Sequence, residues 1–155
     1  MSGISAISNK DAYLGGSILH DDIRGRRGDD SLLGGQGGDK LFGGDGADRV
    51  LGAAGKDALS GGAGDDTLDG GAGIDAVQGG RGADMFIFTA DGDRDKLLDF
   101  KDGSDLISVG VAFAALTITT LAPGRVQIDY SGDVLIVTDS LGQLTVADLT
   151  TADFF

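Results

Sequence analysis

Apolar residues recur at every ninth position through the middle of the chain. Leu32, Leu41, Val50, Leu59, Leu68, Val77 and Phe86 follow one another at this spacing, each between two residues of variable character. One inward side chain between two outward ones predicts a minimal β-strand of three residues. The segments between these strands are glycine-rich, with 20 of the 29 glycines of the chain in residues 25–87. Glycine reaches φ > 0 without steric cost, so positions one to four of each nonapeptide read as a tight turn. Seven nonapeptides follow without interruption, from residues 25–33 to residues 79–87. A three-residue strand cannot bury its face alone and must stack on others. A turn and a strand make half a coil, so two nonapeptides complete one coil. The predicted fold is all-β: a parallel β-roll of two short parallel sheets, face to face, with a C-terminal β cap.

The flanks follow the pattern more loosely. In residues 1–24 Gly16, Asp21 and Ile23 keep the phase and Leu14 falls one repeat earlier, but Leu19 stands where a turn glycine belongs. This segment reads as degenerate capping repeats, since terminal repeats are atypical. Residues 88–155 read as the β cap. Residues 116–119 alternate, as do Val126, Ile128 and Tyr130, and residues 134–137 are apolar on both faces. Turns are expected at 122–125, around the only proline, Pro123, and at 131–133. The cap is expected to cover the open end of the sheets.

The polar pattern is as regular as the apolar one. The sixth position is Asp30, Asp39, Asp48, Asp57, Asp66, Asp75 and Asp84. With two nonapeptides per coil these form two columns: Asp30, Asp48, Asp66 and Asp84 on one edge, and Asp39, Asp57 and Asp75, extended by Asp21, on the other. Stacked strands are about 4.8 Å apart. That is nearly twice the Ca²⁺–oxygen distance of about 2.3–2.6 Å, so an ion fits between successive turns. Hard oxygen donors and the absence of Cys favour Ca²⁺ over zinc or copper. All 25 acidic residues are aspartate, and the net charge is −13. Such a charge argues for cations and against nucleic acid and anionic membrane surfaces as partners.

The pattern G-G-x-G-x-D-x-U-x resembles the calcium-binding nonapeptide of the repeats-in-toxin (RTX) family, an established Ca²⁺-binding β-helix repeat. The resemblance is strict over residues 25–87, with Arg26 and Ala53 departing from glycine at position two. It implies a ligand set. Each ion would take carbonyls from positions two and four of one turn, carbonyls from positions one and three of the turn above, and both position-six carboxylates. One such site would join Gly44, Gly46 and Asp48 to Gly61, Ala63 and Asp66. Carried along the array, position one supplies Gly43, Gly52, Gly61, Gly70 and Gly79. Position two supplies Gly35, Gly44, Gly62, Gly71 and Gly80, and position three Ala63 and Arg81. Position four supplies Gly28, Gly37, Gly46, Gly55, Gly64, Gly73 and Gly82. Three gaps in each column, counting Asp21, would hold about six Ca²⁺.

Beyond the array, strict counting in nines puts Asp93 and Asp102 on position six, where either column could gain a capping ion. The run also resembles the D-x-I-x-D-F…G-x-D-x-I segment that follows the array in this family, with Leu97 and Leu98 in place of Ile. An EF-hand over 91–102 fails, because Lys96 occupies the required glycine and Asp102 replaces the bidentate Glu. No catalytic constellation stands out: there is no Cys, no G-x-S-x-G, no H-E-x-x-H and one histidine, His20, expected to be solvated. No apolar run is long enough to predict a membrane span, and residues 1–4 carry no Sec-type leader pattern.

Modules of this kind occur in serralysin-type proteases, exported lipases and alginate C5-epimerases. The resemblance therefore implies a secreted, extracellular module that folds on calcium after passage through the type I secretion machinery. The ending Asp153, Phe154, Phe155 resembles the C-terminal signal of that pathway. The alternative is a calcium-stabilised module for an acidic polysaccharide. A basic stripe on one sheet face would favour it. Arg24, Arg26 and Arg27 cluster, but Lys40 and Arg49 fall on opposite sheets.

Overall fold

The computed structural model describes residues 5–89, 91–101, 104–109, 117–122, 124–130, 133–138 and 154. Fifteen strands and no helix are found among them. Nine alternate along the roll: β1 (Ser5–Ile7), β2 (Tyr13–Gly15), β3 (Asp22–Arg27), β4 (Ser31–Gly37), β5 (Lys40–Asp45), β6 (Arg49–Gly55), β7 (Ala58–Ala63), β8 (Thr67–Ala72) and β9 (Ala76–Arg81). They continue into β10 (Met85–Ile87), β11 (Arg94–Leu97) and β12 (Leu106–Ser108). The chain then makes β13 (Thr117–Ala122), β14 (Arg125–Tyr130) and β15 (Asp133–Thr138).

Odd and even strands separate onto two sheets. One has the order β1-β3-β5-β7-β9-β11-β15-β14-β13, the other β2-β4-β6-β8-β10-β12. Pairing from β1 through β12 is parallel. Its offset within the array is two nonapeptides, as in Leu41 opposite Leu59 and Val50 opposite Leu68. The fold is thus a parallel β-solenoid of about five coils.

Position eight forms the core as the periodicity requires. Ile23, Leu41, Val50, Leu68, Val77 and Phe86 are fully buried between the sheets, and Leu97 and Ile107 continue their rows. Each such side chain contributes roughly 1.5–3 kcal/mol.

The strands are longer than the three residues expected. From β3 to β9 they run six or seven residues, from position seven through position three or four. The inward alternation of position eight continues at the position-one glycine, which is buried too, as at Gly34, Gly43 and Gly61. A residue without a side chain leaves no hydrophobic mark, so the pattern understates the strand.

The turn chemistry explains the other glycines. Positions two and four have positive φ, as at Gly44 (126°) and Gly46 (136°). The only non-glycine residues with positive φ among those described are Arg26 (79°) and Ala53 (81°), the two departures from the repeat. A Cβ in this region costs roughly 1–2 kcal/mol, partly offset by the stiffer unfolded chain of a non-glycine residue. Ala53→Gly is therefore expected to stabilise the calcium-loaded protein by about 0.5–1 kcal/mol. A thermal melt in saturating calcium checks this; a lowered midpoint would show that Ala53 is not strained.

The C-terminal cap extends one sheet rather than lying across both. β15 pairs in parallel with β11, placing Val134 opposite Arg94 and Val137 opposite Leu97. The meander β13-β14-β15 is antiparallel, with Val126, Ile128, Leu135 and Val137 buried. The other sheet is met at its last strand by Phe154, which bridges Ile107. Of the expected cap turns, Pro123, Ser131 and Gly132 lie outside the described residues, as do Asp102, Asp153 and Phe155.

Candidate metal centre

The turns between sheets bring the position-six aspartates together as predicted. In each column the backbone N–H of one aspartate donates to Oδ1 of the aspartate one coil on. On one edge Asp30 donates to Asp48 at 2.8 Å, Asp48 to Asp66 at 2.8 Å and Asp66 to Asp84 at 3.1 Å. On the other, Asp21 donates to Asp39 at 2.8 Å, Asp39 to Asp57 at 2.7 Å and Asp57 to Asp75 at 2.9 Å. All eight are at most 3% exposed.

One bond per carboxylate leaves the second oxygen over. Oδ2 of Asp39, Asp48, Asp57, Asp66, Asp75 and Asp84, and both oxygens of Asp30, are buried without a hydrogen-bond partner. A buried unpaired polar atom costs about 1–3 kcal/mol, and more when charged. These oxygens converge with backbone carbonyls. A Cβ on Gly34 would stand 2.6 Å from Asp39 Oδ2 and 2.7 Å from the Gly52 carbonyl oxygen. A Cβ on Gly43 would fall 2.6 Å from the Gly61 oxygen and closer still to Asp48 Oδ2. Position one is glycine because the cradle occupies the place of its side chain.

The other carbonyls line the same gaps from both sides. The oxygens of Gly44 and Gly46 press so closely beneath Gly62 and Gly64 that neither upper residue could carry a Cβ. Those of Gly28, Gly37, Gly55, Gly62 and Gly64 lie likewise beneath Gly46, Gly55, Gly73, Gly80 and Gly82. Facing back, the Gly70 and Gly79 oxygens approach Gly52 and Gly61, while Ala63 and Arg81 accept the Gly46 and Gly64 N–H groups, both at 2.8 Å. Among the described residues no three acidic or histidine side chains converge on one point. The oxygen count of a site therefore rests on carbonyls as much as on carboxylates. An oxygen-only cradle with unpaired carboxylate oxygens fits a hard divalent cation of Ca²⁺ size.

Burial raises these carboxyls well above the usual range, and the neighbouring aspartates of the column add to it. Asp66 and Asp75 are pushed up to about 7, and Asp57 and Asp84 to about 6. Asp30, Asp39 and Asp48 are raised for the same first reason. The metal-free fold therefore holds protons that the unfolded chain has released. Its stability falls as pH rises from the ordinary aspartate range, and the fall is complete once the raised groups ionise at about 6 to 7. A bound cation removes that penalty.

Several residues differ from expectation. Asp21 heads its column with its oxygens already engaged, by the Ser17 N–H at 2.6 Å and the Ser17 hydroxyl at 3.0 Å. Asp65 is exposed, but its Oδ1 accepts the Ala83 N–H at 2.9 Å. His20, also exposed, has its Nδ1 2.7 Å from the Gly38 nitrogen and 2.9 Å from the Gly38 carbonyl oxygen. Past the array, Asp95 and Asp105 extend the columns, not Asp93: Asp75 donates to Asp95 at 2.9 Å and Asp84 to Asp105 at 3.1 Å. These last coils are longer than two nonapeptides, which breaks the count in nines. The signal was there in the triplets Asp95-Lys96-Leu97 and Asp105-Leu106-Ile107, which keep the aspartate two residues before a buried apolar one. Arg26 and Ala53 also place their carbonyls beneath Gly44 and Gly71, where the departure from glycine had hidden them.

The outer faces carry no assembled basic stripe among these arginines. Arg24 is held by Asp22 at 2.7 Å and lies 4.9 Å from the Phe42 ring centre, Arg27 faces Asp45, and Arg49 is on the other sheet.

Comparison with known proteins agrees with this geometry. Among solved structures, the chain is similar to the AlgE6R2 subunit of the Azotobacter vinelandii mannuronan C5-epimerase, at 24% identity and a TM-score of 0.53, covering 92% of this chain and 91% of that one. This likeness shows a shared fold. The AlgE6R3 subunit of the same epimerase matches at 26% identity, a TM-score of 0.43 and coverage of 96% and 79%. The extracellular lipase LipA of Serratia marcescens matches at 15% identity and a TM-score of 0.44, covering 94% of this chain but 38% of the lipase. No curated protein matches. The family described as the RTX calcium-binding nonapeptide repeat (4 copies) matches residues 15–50, 51–86 and 60–95, together just over half of the chain. The chain belongs to the RTX family of calcium-binding nonapeptide repeats.

Proposed function

We propose that this repeat module folds on binding about six Ca²⁺ after export and thereby serves the secretion and stability of an extracellular protein. The observation that carries the reading is the set of buried position-six oxygens without partners, which from Asp30 to Asp66 lie beside backbone carbonyls of the next coil. In this reading residues 1–24 cap the roll, residues 25–87 hold the ions through the carboxylates and carbonyls named above, and residues 88–155 seal the far end. The gap between Asp21 and Asp39 is the weakest of the six, because Ser17 competes for the Asp21 oxygens. Six divalent ions nearly neutralise the net charge of −13.

Titration calorimetry joined to native mass spectrometry tests the count. Five or six bound calcium ions are expected, and saturation at two or fewer would overturn the site assignment. Extracellular calcium modules bind at about 10⁻⁴–10⁻³ M, so the columns stay empty at cytosolic calcium and the chain reaches a type I channel unfolded. A transport assay comparing the intact chain with one lacking its last residues checks the export reading; equal export of both would reject it.

A further inference from the structure

We propose that Lys101 fills the gap between the coils of Asp84 and Asp105 with its own ammonium group, a built-in cation standing where the array takes calcium. The inference rests on the calcium reading of the columns and concerns a gap in which the Gly80 and Gly82 carbonyls and both Asp105 oxygens already have protein donors.

The equivalent positions make the comparison direct. In the interior gap above Asp48, the carbonyls of Gly44 and Gly46 face the next coil and Asp66 Oδ2 has no hydrogen-bond partner. In the gap above Asp84 the corresponding carbonyls belong to Gly80 and Gly82. Lys101 Nζ donates to the Gly80 oxygen, and the Ser104 hydroxyl donates to the Gly82 oxygen at 3.4 Å. Asp105 stands where Asp66 stands in the interior. Its Oδ1 accepts the Asp84 N–H at 3.1 Å, and its Oδ2 accepts the Lys101 N–H at 2.9 Å. Both oxygens of Asp105 are therefore engaged, unlike those of Asp66, and Asp84 Oδ2 is left as the one carboxylate oxygen of the gap without a hydrogen bond. Asp99 adds a second grip, accepting the N–H groups of Gly79 and Gly80, both at 2.9 Å. The register explains the supply of donors. Phe86 pairs with Leu68 on one side and with Ile107 on the other, so the last coil is three residues longer than those of the array. The longer loop can turn back on the seventh repeat.

An ammonium carries one charge and three donors, and cannot gather the six to eight oxygens of a Ca²⁺ site. It does hold two stacked turns together without metal. The C-terminal end of this column is thus closed at any calcium concentration. The interior gaps then close one after another onto a coil that is already formed, and calcium-driven ordering starts from the C-terminal end.

The test counts ions and reads amides on the full chain. Lys101→Gly is expected to bind one more calcium than the wild type by native mass spectrometry, and Lys101→Arg the wild-type number. In excess chelator, hydrogen exchange of the wild type should be at least about tenfold slower at the Asp84 amide than at the Asp48 amide, its interior counterpart. Equal ion numbers in wild type and Lys101→Gly, or an ion bridging Asp84 and Asp105 in a calcium-saturated crystal, would overturn the proposal. Should Lys101→Gly fail to fold, the wild-type exchange ratio decides: a ratio near one overturns it. Failure of the calcium reading itself is distinct, appearing as no calcium bound to any of the three proteins.

Discussion

Excess chelator is expected to abolish most of the parallel-strand signal of the array, leaving the C-terminal meander and the last coil closed by Lys101 as the residual structure. The reason lies in the columns. Without cations, seven aspartates keep buried oxygens that have no partner, and neighbouring carboxylates about 5 Å apart repel by roughly 0.8 kcal/mol in water and roughly 3 at an intermediate dielectric. The glycines raise the entropy lost on ordering, because each gives up more conformational freedom than any other residue. Against this stands a core only one apolar side chain wide per strand. At a free calcium concentration ten times the dissociation constant, each site adds roughly 1.4 kcal/mol, so about six sites add roughly 8. That equals the whole stability of many domains, about 5–15 kcal/mol, so its removal decides the state of the chain. Circular dichroism across a calcium titration is the measurement, and the transition should be steep because each ion orders two turns and prepares the next gap. Native-like strand signal in excess EDTA would sink the prediction.

Gly61→Ala should be among the most damaging single substitutions in the array. Gly61 has no positive φ, so alanine can adopt its backbone and the effect comes from the added methyl alone. That carbon would stand 2.7 Å from the Gly79 carbonyl oxygen and closer still to Asp66 Oδ2, the oxygens that converge on one gap. Neither can easily swing clear: one is backbone, and the other belongs to a carboxylate whose Oδ1 is held by the Asp48 N–H at 2.8 Å. Overpacking costs about 1–3 kcal/mol, and the ions lost with the displaced oxygens cost roughly 1.4 kcal/mol each at tenfold excess calcium. Asp66→Ala should match it, since Asp66 borders two gaps. Asp65→Ala is the control: it loses one exposed hydrogen bond to Ala83, worth about 1 kcal/mol. Ion counts and thermal midpoints at fixed calcium compare the three. Equal losses in Asp65→Ala and Asp66→Ala would show that position six has no special part.

Most of the roll was legible because its two signals have different sources and agree. The apolar row from Leu32 to Phe86 marks the interior, and the aspartates from Asp30 to Asp84 mark the turns. Glycine carries less information than its abundance suggests, since Gly34 and Gly43 look like turn residues and are buried strand residues whose places are taken by carboxylates. Counting in nines fails where the coils lengthen, at Asp95 and Asp105, although the short triplets around them keep the pattern. The role of Lys101 leaves no trace in the sequence, because it depends on a side chain reaching back across a coil boundary to the Gly80 carbonyl. The strands of the cap are legible from their alternation. Its attachment to one sheet through β11 and β15 depends on pairing residues as distant in sequence as Arg94 and Val134, which no local pattern encodes.

The parallel register of two nonapeptides also sets how such a chain can change in length. Each coil meets only the coil before and the coil after it, and every interior coil offers both neighbours the same edges. Removing or duplicating two consecutive nonapeptides leaves each sheet and each column in place, one step shorter or longer. Removing a single one does not. The strands beyond the cut would change sheets, β11 would follow the row that now ends in β12, and Lys101 would close the column that belongs to Asp95. Variation in length should therefore come in whole coils, a unit twice the repeat visible in the sequence.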